Sequence, residues 1–451
     1  MAAGKGTRMR SQTPKVLHRI AGVPMIAHVT RTAKRLQPAA VLAVVAPAER
    51  DPIAEATGDG VECVEQPEPL GTGHALITAL HLISPDTSHV LLLNGDVPLL
   101  KHESLQALMD RHIANKAALS LMTTMLPVGQ AKGLGTVRRN SQGLPIAVVE
   151  AAEAQAAKTD TVEINVGAYC FSATWLREAA SRLQPHPSGE YYVTDLVATA
   201  ALDGQWIETH ALEDAGEGMG VNDRSQLACA ESGLQWRMRL SWMERGVTMD
   251  DPQTTYLEPD VELEADVTLL PNTSLRGHTH IFSGATVGPN ATLTDATVGQ
   301  GCVVRNATLE NAVLEPNVDV GPYSYLRPGT YVESGAHIGS HVEIKNSRIG
   351  AGSHVGHFSY IGDATLGPRV NIGAGTVTCN YDGVEKHHTE IGADAFIGSD
   401  SMLVAPVNIG AGAVTGAGAV VTADVAPGAT VAGVPARELS RSNLKSDRSG
   451  I

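Results

Sequence analysis

The chain has 451 residues and a formal net charge of −15 at pH 7; 43% of its residues are hydrophobic but only 4% are aromatic. This acidic balance argues against a nucleic-acid groove or an anionic membrane as the main partner, although a phosphate ligand needs only a few cations and backbone N–H groups. The 46 glycines, with so few large rings, indicate a solenoid of small stacked residues, and the length favours two or three domains.

The cysteines indicate neither a metal site nor a disulfide framework. All five lie far apart, without CxxC spacing: Cys63, Cys170, Cys229, Cys302 and Cys379. This usage is typical of a reducing compartment. No stretch approaches the roughly 20 apolar residues of a spanning helix, and residues 1–10 lack the apolar core of a secretory signal. We therefore expect a soluble cytoplasmic protein without a nucleic-acid or membrane partner.

Residues 1–223 alternate between helical and strand patterns. Apolar residues at 25, 26, 29, 33 and 36 have helical spacing, whereas VLAVVA (41–46) and HVLLLNGD (89–96) read as buried strands. Such alternation predicts an α/β domain with a Rossmann-like, mostly parallel sheet. Ligands bind beyond the carboxyl ends of strands in these sheets, where Asp96 and the loop at Gly4 are expected.

The rest of the chain follows a different pattern. Residues 224–247 contain no proline and read as one connecting helix. Between 248 and 437, aliphatic residues recur every six positions, most clearly from Ile391 to Val421, and predict a left-handed parallel β-helix of hexapeptide repeats. TCNYDGVEKHHTE (378–390) breaks this repeat and must leave the coil as a loop, and the polar tail at 438–451 is predicted to be disordered.

Several motifs in the first half fit a phosphate ligand. AAGKGTRM (2–9) combines glycines, which let phosphates approach the backbone, with cations that neutralise them. It is neither a Walker P-loop nor a dinucleotide fingerprint, and alone it is a weak signal. LGTGHA (70–75) and NGDVPL (94–99) strengthen it.

With PKVLH (14–18), EINVG (163–167), EYYVTD (190–195) and GVNDR (220–224), these motifs resemble the front domain of the GlmU family. YLRPGT (325–330), VEIKN (342–346), GHFSYIGD (356–363), VNIGAGT (370–376) and TCNYDG (378–383) resemble its hexapeptide domain. The resemblance covers almost the whole chain. Family members are bifunctional enzymes that acetylate glucosamine-1-phosphate with acetyl-CoA and then join the product to uridylate from UTP. The product, UDP-N-acetylglucosamine, feeds cell-envelope polymers.

The resemblance assigns roles in the front domain by position. Mg²⁺ would be held by Asp96 and Asn222, whose oxygens are hard ligands. Lys15 and Arg8 would neutralise the transferring phosphoryl group and the pyrophosphate. The full set implied to contact the uridine nucleotide or its sugar is Ala2, Ala3, Gly4, Lys15, Gln66, Gly71, Thr72, Asn94, Gly95, Asp96, Gly135, Glu150, Asn165 and Asn222.

In the back domain the resemblance makes His357 the general base, because an imidazole can take a proton from the sugar ammonium near neutral pH. The implied sugar-phosphate contacts are Arg327, Lys345, Tyr360 and Asn371, and the implied acetyl-CoA contacts are Ala374, Asn380, Tyr381, Ser399 and Ala417. Arg327 and Lys345 are 18 positions apart, which we read as about three coils. We therefore expect a site shared between subunits, as in the family's homotrimers.

Three departures from the family pattern stand out. The family has an apolar strand before the AAGKG motif, where this chain has Met1, so we expect weakened uridylyl transfer from the chain as written. Ala152 takes the place of a usual lysine. The usual CoA-contacting arginine has no clear counterpart in AGVPAR (432–437).

Two other classes are weighed against this reading. The histidines at 337, 341, 354 and 357 suggest the zinc site of a gamma-type carbonic anhydrase, but that class leaves the front half and the loop at 378–390 unexplained. A non-catalytic regulator can share this domain order, but it has no need for Asp96, Asn222 and His357 together. The main alternatives within the enzyme class are an acetyltransferase-only protein with an impaired front domain and a nucleotidyltransferase for another sugar.

Overall fold

The computed structural model describes residues 1–4, 6–131, 134–149 and 160–439. It comprises two compact units, Met1–Leu234 and Gln235–Ile451, which we call the front unit and the back unit. Apart from 438 and 439, the predicted disordered tail lies outside the described residues.

The front unit alternates helices and strands, as predicted. Its helices, with α7 continuing into the back unit, are α1 (Met25–Arg35), α2 (Arg50–Thr57), α3 (Thr72–Leu80), α4 (His102–Ala114), α5 (Ala173–Ala180), α6 (Asp195–Leu202) and α7 (Arg224–Glu244). Its strands are β1 (Arg19–Ile20), β2 (Val23–Pro24), β3 (Leu42–Val45), β4 (Glu62–Glu65), β5 (His89–Leu93), β6 (Leu119–Pro127), β7 (Thr136–Arg139), β8 (Pro145–Val149), β9 (Thr161–Ser172) and β10 (Ile207–Ala211). Short 3₁₀ helices cover Thr7–Met9, Lys15–Leu17, Pro47–Glu49 and Ala215–Gly218.

The main sheet of the front unit is mixed. Its strand order is β10-β6-β9-β7-β8, with β5 also pairing with β9. β10 runs parallel to β6, whereas β9 is antiparallel to both β5 and β6. The α/β class is therefore confirmed, whereas the expected mostly parallel sheet is mixed: among the described residues, β10–β6 is the one parallel pair of the main sheet, and the pairs β5–β9, β6–β9, β7–β9 and β7–β8 are antiparallel. The alternation of helices and strands did not reveal these antiparallel pairs.

A cavity separates the parallel pair β3–β4 from the main sheet. Within the described residues, the two sheets are bridged at their carboxyl ends by the start of the chain: the Met1 amino group donates to the Leu93 carbonyl at 2.8 Å, and Ala2 N–H donates to the Val44 carbonyl at 2.7 Å. Below this bridge lies a largely apolar cavity of about 440 Å³, lined by α1, β3, α3 and β5. The gap between β3 and β5 is therefore filled by this cavity and not by side chains of the two sheets.

Helix α7 begins at a side-chain cap. The Asp223 carboxylate accepts hydrogen bonds from the backbone N–H groups of Ser225 and Gln226, both at 2.9 Å, which satisfies two donors of the first helical turn. The helix spans Arg224–Glu244, and the division between the two units falls inside it.

The back unit is a coil of very short strands stacked into three parallel sheets, with the 3₁₀ helix Pro252–Thr254 between its first two strands. Sheet A comprises Thr248–Met249, Thr268–Leu269, Thr286–Val287, Val303–Val304, Asp319–Val320, His337–Ile338, His354–Val355, Asn371–Ile372, Phe396–Ile397, Val414–Thr415, Thr430–Ala432 and Arg437–Glu438, of which only the last is antiparallel to its neighbour. Sheet B comprises Tyr256–Leu257, Ser274–Arg276, Thr292–Thr294, Thr308–Glu310, Tyr325–Leu326, Glu343–Lys345, Tyr360–Gly362, Val377–Cys379, Met402–Val404 and Val420–Val421. Sheet C comprises Glu262–Leu263, His280–Ile281, Thr297–Val298, Val313–Leu314, Tyr331–Val332, Arg348–Ile349, Ala364–Leu366, Thr389–Ile391 and Val407–Ile409.

The six-residue period arises from this architecture. Most of the short strands point one aliphatic residue inward, and these residues form one continuous core with almost no exposed area. The exceptions include the buried Thr378 and Thr415 and the exposed strand Arg437–Glu438. Each complete coil takes three such segments, so neighbouring strands of sheet B pair Tyr325 with Glu343, 18 residues later. The predicted β-helix is confirmed, and its narrow core accounts for the scarcity of aromatic residues.

Candidate active sites

In the front unit, residues 1–4 lie at the carboxyl ends of β3 and β5. The carbonyl of Met1 accepts from Gly95 N–H at 2.9 Å, which ties this segment to the NGD motif, and Ala2 and Ala3 are buried. Gly4 is exposed, and a side chain there would meet nothing within 4 Å. The segment therefore presents open backbone at the sheet edge where a ligand was expected.

Lys15, Asp96 and Asn222 converge at this edge. The Lys15 ammonium forms a short ion pair with the Asp96 carboxylate and donates to the side-chain oxygen of Asn222 at 3.2 Å. Val221 N–H donates to the Asp96 carbonyl at 2.8 Å and holds the two segments together. The Asp96 carboxylate and the Asn222 side-chain oxygen therefore both face the position that the Lys15 ammonium occupies. Hard oxygen ligands of this kind suit a small divalent cation.

Gly6 makes room for this arrangement, a role that the sequence reasoning missed. Its φ of 56° lies in the left-handed region, and a Cβ there would sit 2.6 Å from the Cβ of Lys15. Any side chain would push Lys15 away from Asp96. The Gly-x-Gly spacing of the motif was visible in the sequence, but its packing partner was not.

The LGTGHA loop is held by the EYYVTD segment. Gly73 N–H donates to the Tyr191 carbonyl at 2.7 Å, and the Thr72 hydroxyl accepts from Val193 N–H at 3.1 Å. Gln66 is 3% exposed, and its amide donates to the Gly71 carbonyl at 3.2 Å. The structure therefore brings Gln66, Gly71 and Thr72 into one loop at the start of α3.

Two residues expected to contact the sugar meet where Gly135, directly before β7, lies beside Asn165 of β9. Asn165 N–H donates to the Gly135 carbonyl at 2.9 Å, and the Asn165 amide donates to the Tyr169 hydroxyl at 2.6 Å. Asn94 packs against Gly167, where a Cβ would lie 2.2 Å from its amide nitrogen. Glu150 and Ala152 lie outside the described residues.

Arg8 lies in an open depression next to the segment that carries Asn222. It lines a depression of about 610 Å³ together with Arg10, Arg224 and the capping residue Asp223, which follows Asn222 directly. Backbone and side-chain hydrogen bonds from Gln226 and Ser225 lower the pKa of Asp223. Three arginines therefore line this depression, and their positive charge favours an anionic ligand.

In the back unit, the turns that connect sheet A to sheet B form a corner with two aligned columns. Successive turns are joined by main-chain hydrogen bonds of 2.7–3.1 Å, such as Gly375 N–H to the His357 carbonyl and Asp400 N–H to the Ala374 carbonyl. The first column, which we call the base column, consists of Pro322, Ser340, His357, Ala374, Ser399 and Ala417. The second, which we call the flanking column, consists of Tyr323, His341, Phe358, Gly375, Asp400 and Gly418.

The base column brings four predicted residues into line. His357 and three predicted acetyl-CoA contacts, at 374, 399 and 417, follow one another on four successive turns. Stacked strands are about 4.8 Å apart, so the line is about 14 Å long. His357 is exposed, and its Nδ1 lies 3.1 Å from the Ser340 hydroxyl. Ser340 was not singled out from the sequence.

The predicted sugar-phosphate contacts lie on both sides of this corner. Asn371 belongs to sheet A, whereas Tyr360, Lys345 and Arg327 follow one another along sheet B. The Arg327 guanidinium donates to the Glu343 carboxylate at 2.8 Å, and this hydrogen bond raises the pKa of Arg327. A ligand at the corner could therefore contact both sheets of one chain.

The expectation that Arg327 and Lys345 lie three coils apart is wrong. Eighteen residues make one complete coil, and Arg327 N–H donates to the carbonyl of Ile344, directly beside Lys345. The two cations are neighbours on adjacent strands. Their spacing in sequence is therefore no argument for a site shared between subunits.

Asp363 organises a polar cluster that the sequence reasoning missed. It accepts from the Asn346 amide at 2.7 Å and from the Asn380 amide, and its carboxylate lies 3.8 Å from the Lys345 ammonium. Burial raises the pKa of Asp363, but these hydrogen bonds and the charge of Lys345 lower it further than burial raises it. Asp363 ends the GHFSYIGD motif, so its position was visible although its role was not.

Lys386 is a further missed residue. It lies in the loop at 380–388, where Tyr381 and Lys386 pair as an antiparallel bridge, so the predicted departure from the coil is confirmed. The neighbouring Lys345 side chain lowers the pKa of Lys386. Two ammonium groups held together favour an anion, such as a phosphate, between them.

The same loop presents Tyr381 to solvent. Its side chain is 60% exposed, and its hydroxyl donates to the Gly383 carbonyl at 2.7 Å. Asp382 fixes the turn by bonding His387 at 2.7 Å and by accepting from two backbone N–H groups, and these contacts hold its pKa well below its usual range. The loop is therefore preorganised around an accessible aromatic ring.

The histidines of sheet A serve other contacts. His337 Nδ1 lies 2.8 Å from the Asp319 carboxylate, and the rings of His337 and His354 are 5.9 Å apart. Across the part of the chain that the structure describes, no group of three or more His, Cys, Asp or Glu side chains is arranged to hold a metal ion. In those same residues no helix combines the length and apolarity needed to cross a membrane.

Fold and sites together define a nucleotidyltransferase domain followed by a hexapeptide transferase domain. Residues 1–135 match the MobA-like NTP transferase domain family, residues 281–362 the GlmU-like C-terminal hexapeptide family, and residues 388–423 the bacterial transferase hexapeptide family. The chain is 44% identical over 427 residues to the bifunctional protein GlmU of Desulfitobacterium hafniense strain Y51, covering 94% of this chain and 93% of that protein. It is 41% identical over 446 residues to the bifunctional protein GlmU of Heliobacterium modesticaldum, covering 99% and 96%. The chain belongs to the GlmU family, as its motifs predicted.

Proposed function

We propose that this enzyme makes UDP-N-acetylglucosamine in two steps. The back unit acetylates glucosamine-1-phosphate with acetyl-CoA, and the front unit transfers uridylate from UTP to the product and releases pyrophosphate. Membership of a family of bifunctional enzymes supports both steps. The observation that carries the proposal is the alignment of His357 with three small residues on one corner, beside the cations of sheet B.

In the acetyl transfer, His357 takes a proton from the sugar ammonium. The amine nitrogen then attacks the thioester carbon and gives up a second proton, and the carbon–sulfur bond breaks. One of the two protons passes to the CoA sulfur and the other is released to solvent. His357 Nδ1 lies 3.1 Å from the Ser340 hydroxyl. We propose that Nδ1–H donates to this hydroxyl, which selects the tautomer whose Nε2 lone pair accepts the proton. Arg327, Lys345 and Lys386 hold the sugar phosphate, while Tyr360 and Asn371 position the sugar.

Acetyl-CoA extends along the base column toward the C-terminal coils. Ala374, Ser399 and Ala417 leave room for it because their side chains are small. Asn380 and Tyr381 approach from the neighbouring loop, where the exposed ring offers an apolar surface to the cosubstrate.

In the front unit, the nucleotide occupies the edge formed by Ala2–Gly4, Gln66, Gly71 and Thr72, and the sugar faces Gly135 and Asn165. The family resemblance alone adds Glu150 to the sugar contacts. Asp96 and Asn222 would hold Mg²⁺, which would neutralise phosphate charge when bound. Lys15 stands at the point where their oxygens converge. We propose that it turns to the phosphates once these oxygens have another partner, and that Arg8 binds the departing pyrophosphate.

The cellular setting follows from the substrates. UTP and acetyl-CoA are cytoplasmic metabolites, so we place the enzyme in the cytoplasm as a supplier of cell-envelope synthesis. We also propose a homotrimer. It rests on the family resemblance alone, because the spacing of Arg327 and Lys345 no longer argues for a shared site.

A coupled assay tests this proposal. The full chain is given glucosamine-1-phosphate, acetyl-CoA, UTP and Mg²⁺, and free thiol and pyrophosphate are followed separately. His357→Ala should reduce thiol release by about 10²–10⁴-fold and leave pyrophosphate release from supplied N-acetylglucosamine-1-phosphate unchanged. Asp96→Ala should have the opposite effect.

The outcomes separate the alternatives. Thiol without pyrophosphate from the unmodified chain would show an acetyltransferase whose front unit is inactive. Neither product, from a folded protein, would point to a different amino sugar. Loss of both activities in either folded variant would overturn the assignment of two sites.

A further inference from the structure

The residue types of the flanking column change at the turn that carries His357. Toward the C-terminus it holds Gly375, Asp400 and Gly418, which are small or tolerate a left-handed backbone. Toward the N-terminus it holds Tyr323, His341 and Phe358 on three successive turns. The corner therefore carries small side chains on the C-terminal side of His357 and aromatic rings on its N-terminal side.

These three rings occupy a strained backbone conformation. Their φ values are 61°, 57° and 52°, in the left-handed region where a bulky side chain costs about 1–3 kcal/mol. The same turn position in earlier coils holds Asn290 and Asn306, whose short amides tolerate this region. Strain retained at three successive turns indicates that the rings have a use beyond folding.

The rings form one continuous stack beside the base. The centroids of Tyr323 and His341 are 5.1 Å apart, and those of His341 and Phe358 are 4.9 Å apart with nearly parallel planes. Tyr323 is 63% and Phe358 67% exposed, so the stack stands out from the coil surface. Ser340, which bonds His357, directly precedes His341 in the chain.

We propose that this stack limits the length of the acyl group that the back unit transfers. This rests on the proposed function, in which CoA lies along the base column with its thioester at His357. The acyl carbons lie on the other side of the carbonyl from the sulfur. They must therefore extend past His357, toward the turn of Ser340 and His341, where Phe358 and His341 flank the path.

Under this arrangement an acetyl group ends before the stack, and each added methylene runs into it. Excluding a single methylene from an apolar pocket changes kcat/KM by about 10–200-fold. Phe358 is thus a specificity-determining residue, with His341 behind it as a second layer.

The test compares acetyl-, propionyl- and butyryl-CoA as donors to glucosamine-1-phosphate. Phe358→Gly places in this turn the residue that Gly375 provides in the next, so it relieves strain and should fold. We expect the propionyl-to-acetyl ratio of kcat/KM to rise at least about 10-fold, with KM for the sugar phosphate unchanged. Adding His341→Gly should extend the gain to butyryl-CoA. Tyr256→Ala, which removes a 52% exposed ring in the first coil, should leave both ratios unchanged.

Two results would overturn the proposal. One is an unchanged donor ratio in Phe358→Gly with both donors slowed equally. The other is a smaller assembly by sedimentation with an unchanged ratio, which would make the stack a contact between copies of the chain. Absence of thiol release from the unmodified protein with acetyl-CoA would instead refute the proposed function, before any variant is compared.

Discussion

The two sites are assembled in contrasting ways. In the front unit, Lys15 meets residues 81 and 207 positions away, so its geometry depends on loops from distant parts of the chain. In the back unit, the site residues recur once per coil, and their alignment follows from the pairing of adjacent strands. A site built from distant loops loses its geometry when any one of these loops shifts. The geometry of a site on a stacked repeat is instead determined by the packing of the core. Changes that perturb one unit and spare the other separate these two kinds of site.

The largest effect is expected at the cavity between β3 and β5. Extending the chain before Met1 by about five apolar residues should place a strand in the gap, since residues 1 and 2 already bond to both neighbours. Each buried Val, Leu or Ile contributes about 1.5–3 kcal/mol, and new main-chain hydrogen bonds offset part of the ordering cost. The free energy of unfolding of the front unit should rise by about 4 kcal/mol.

Denaturant unfolding of the extended chain checks this, and pyrophosphate release shows whether the nucleotide edge gains activity. A Gly-Ser extension of equal length is the control. Equal stability of the two extended chains would show that the cavity does not accept a strand. Acetyl transfer should be the same in all three proteins.

Acid should weaken the front unit through buried histidines. His112 is fully buried against Ser120, and burial, reinforced by His89, lowers its pKa to about 4. A histidine with a lowered pKa stabilises the fold above its unfolded pKa of about 6.5, and this contribution is lost as the pH falls toward 4. The loss should reach about 3 kcal/mol.

Unfolding of the front unit between pH 7 and pH 4 measures this loss. His112→Gln keeps an amide within reach of Ser120 but does not titrate, so it should flatten the acid dependence. Some dependence should remain, because burial also lowers the pKa of His28 and His210. An unchanged slope in the variant would show that His112 is not the group responsible.

A smaller effect is expected from Gly71→Ala. Gly71 has φ 92° and ψ −179°, a region almost confined to glycine, and a Cβ would lie 2.5 Å from the Tyr191 carbonyl oxygen. The front unit should lose about 2 kcal/mol, and uridylyl transfer should slow because Thr72 and Gln66 move with the loop.

Gly58→Ala is the matched control. Gly58 has a similar backbone, with φ 64° and ψ −170°, but a Cβ there would meet nothing within 4 Å. The two variants share the strain, so the difference between them measures the contact with Tyr191. If Gly58→Ala slows uridylyl transfer as much as Gly71→Ala does, the position of the LGTGHA loop is not what matters.

The sequence predicted the back unit better than the front sheet. A six-residue period specifies a stacked coil because each position faces either the core or solvent in every turn. In the front unit, strand pairing depends on contacts between distant segments, so the antiparallel position of β9 left no local signal. The partnership of Gly6 with Lys15 was equally invisible, since it is a packing constraint across a loop. One prediction for the coil was also wrong: Arg327 and Lys345 are not three coils apart. Three hexapeptides make one complete coil, so residues 18 positions apart lie on adjacent strands.

The smallest expected effect concerns Lys386. Its ammonium lies beside that of Lys345, and the Asp363 carboxylate compensates only part of their combined charge. A bound phosphate would complete the balance, so Lys386→Ala should raise KM for glucosamine-1-phosphate about tenfold, or about 1.4 kcal/mol, with little change in kcat. Lys386→Arg should keep most of the affinity.

Val384→Ala, at an 85% exposed position of the same loop, controls for disturbance of the loop itself. A rise in KM for acetyl-CoA instead of the sugar phosphate would assign Lys386 to the cosubstrate. Added salt should raise KM for the sugar phosphate less in Lys386→Ala than in the unmodified protein, because the variant has one charge fewer to screen. Lys386 is presented by a loop whereas Lys345 lies on the coil, so the back site too has one component whose geometry the stacked core does not determine.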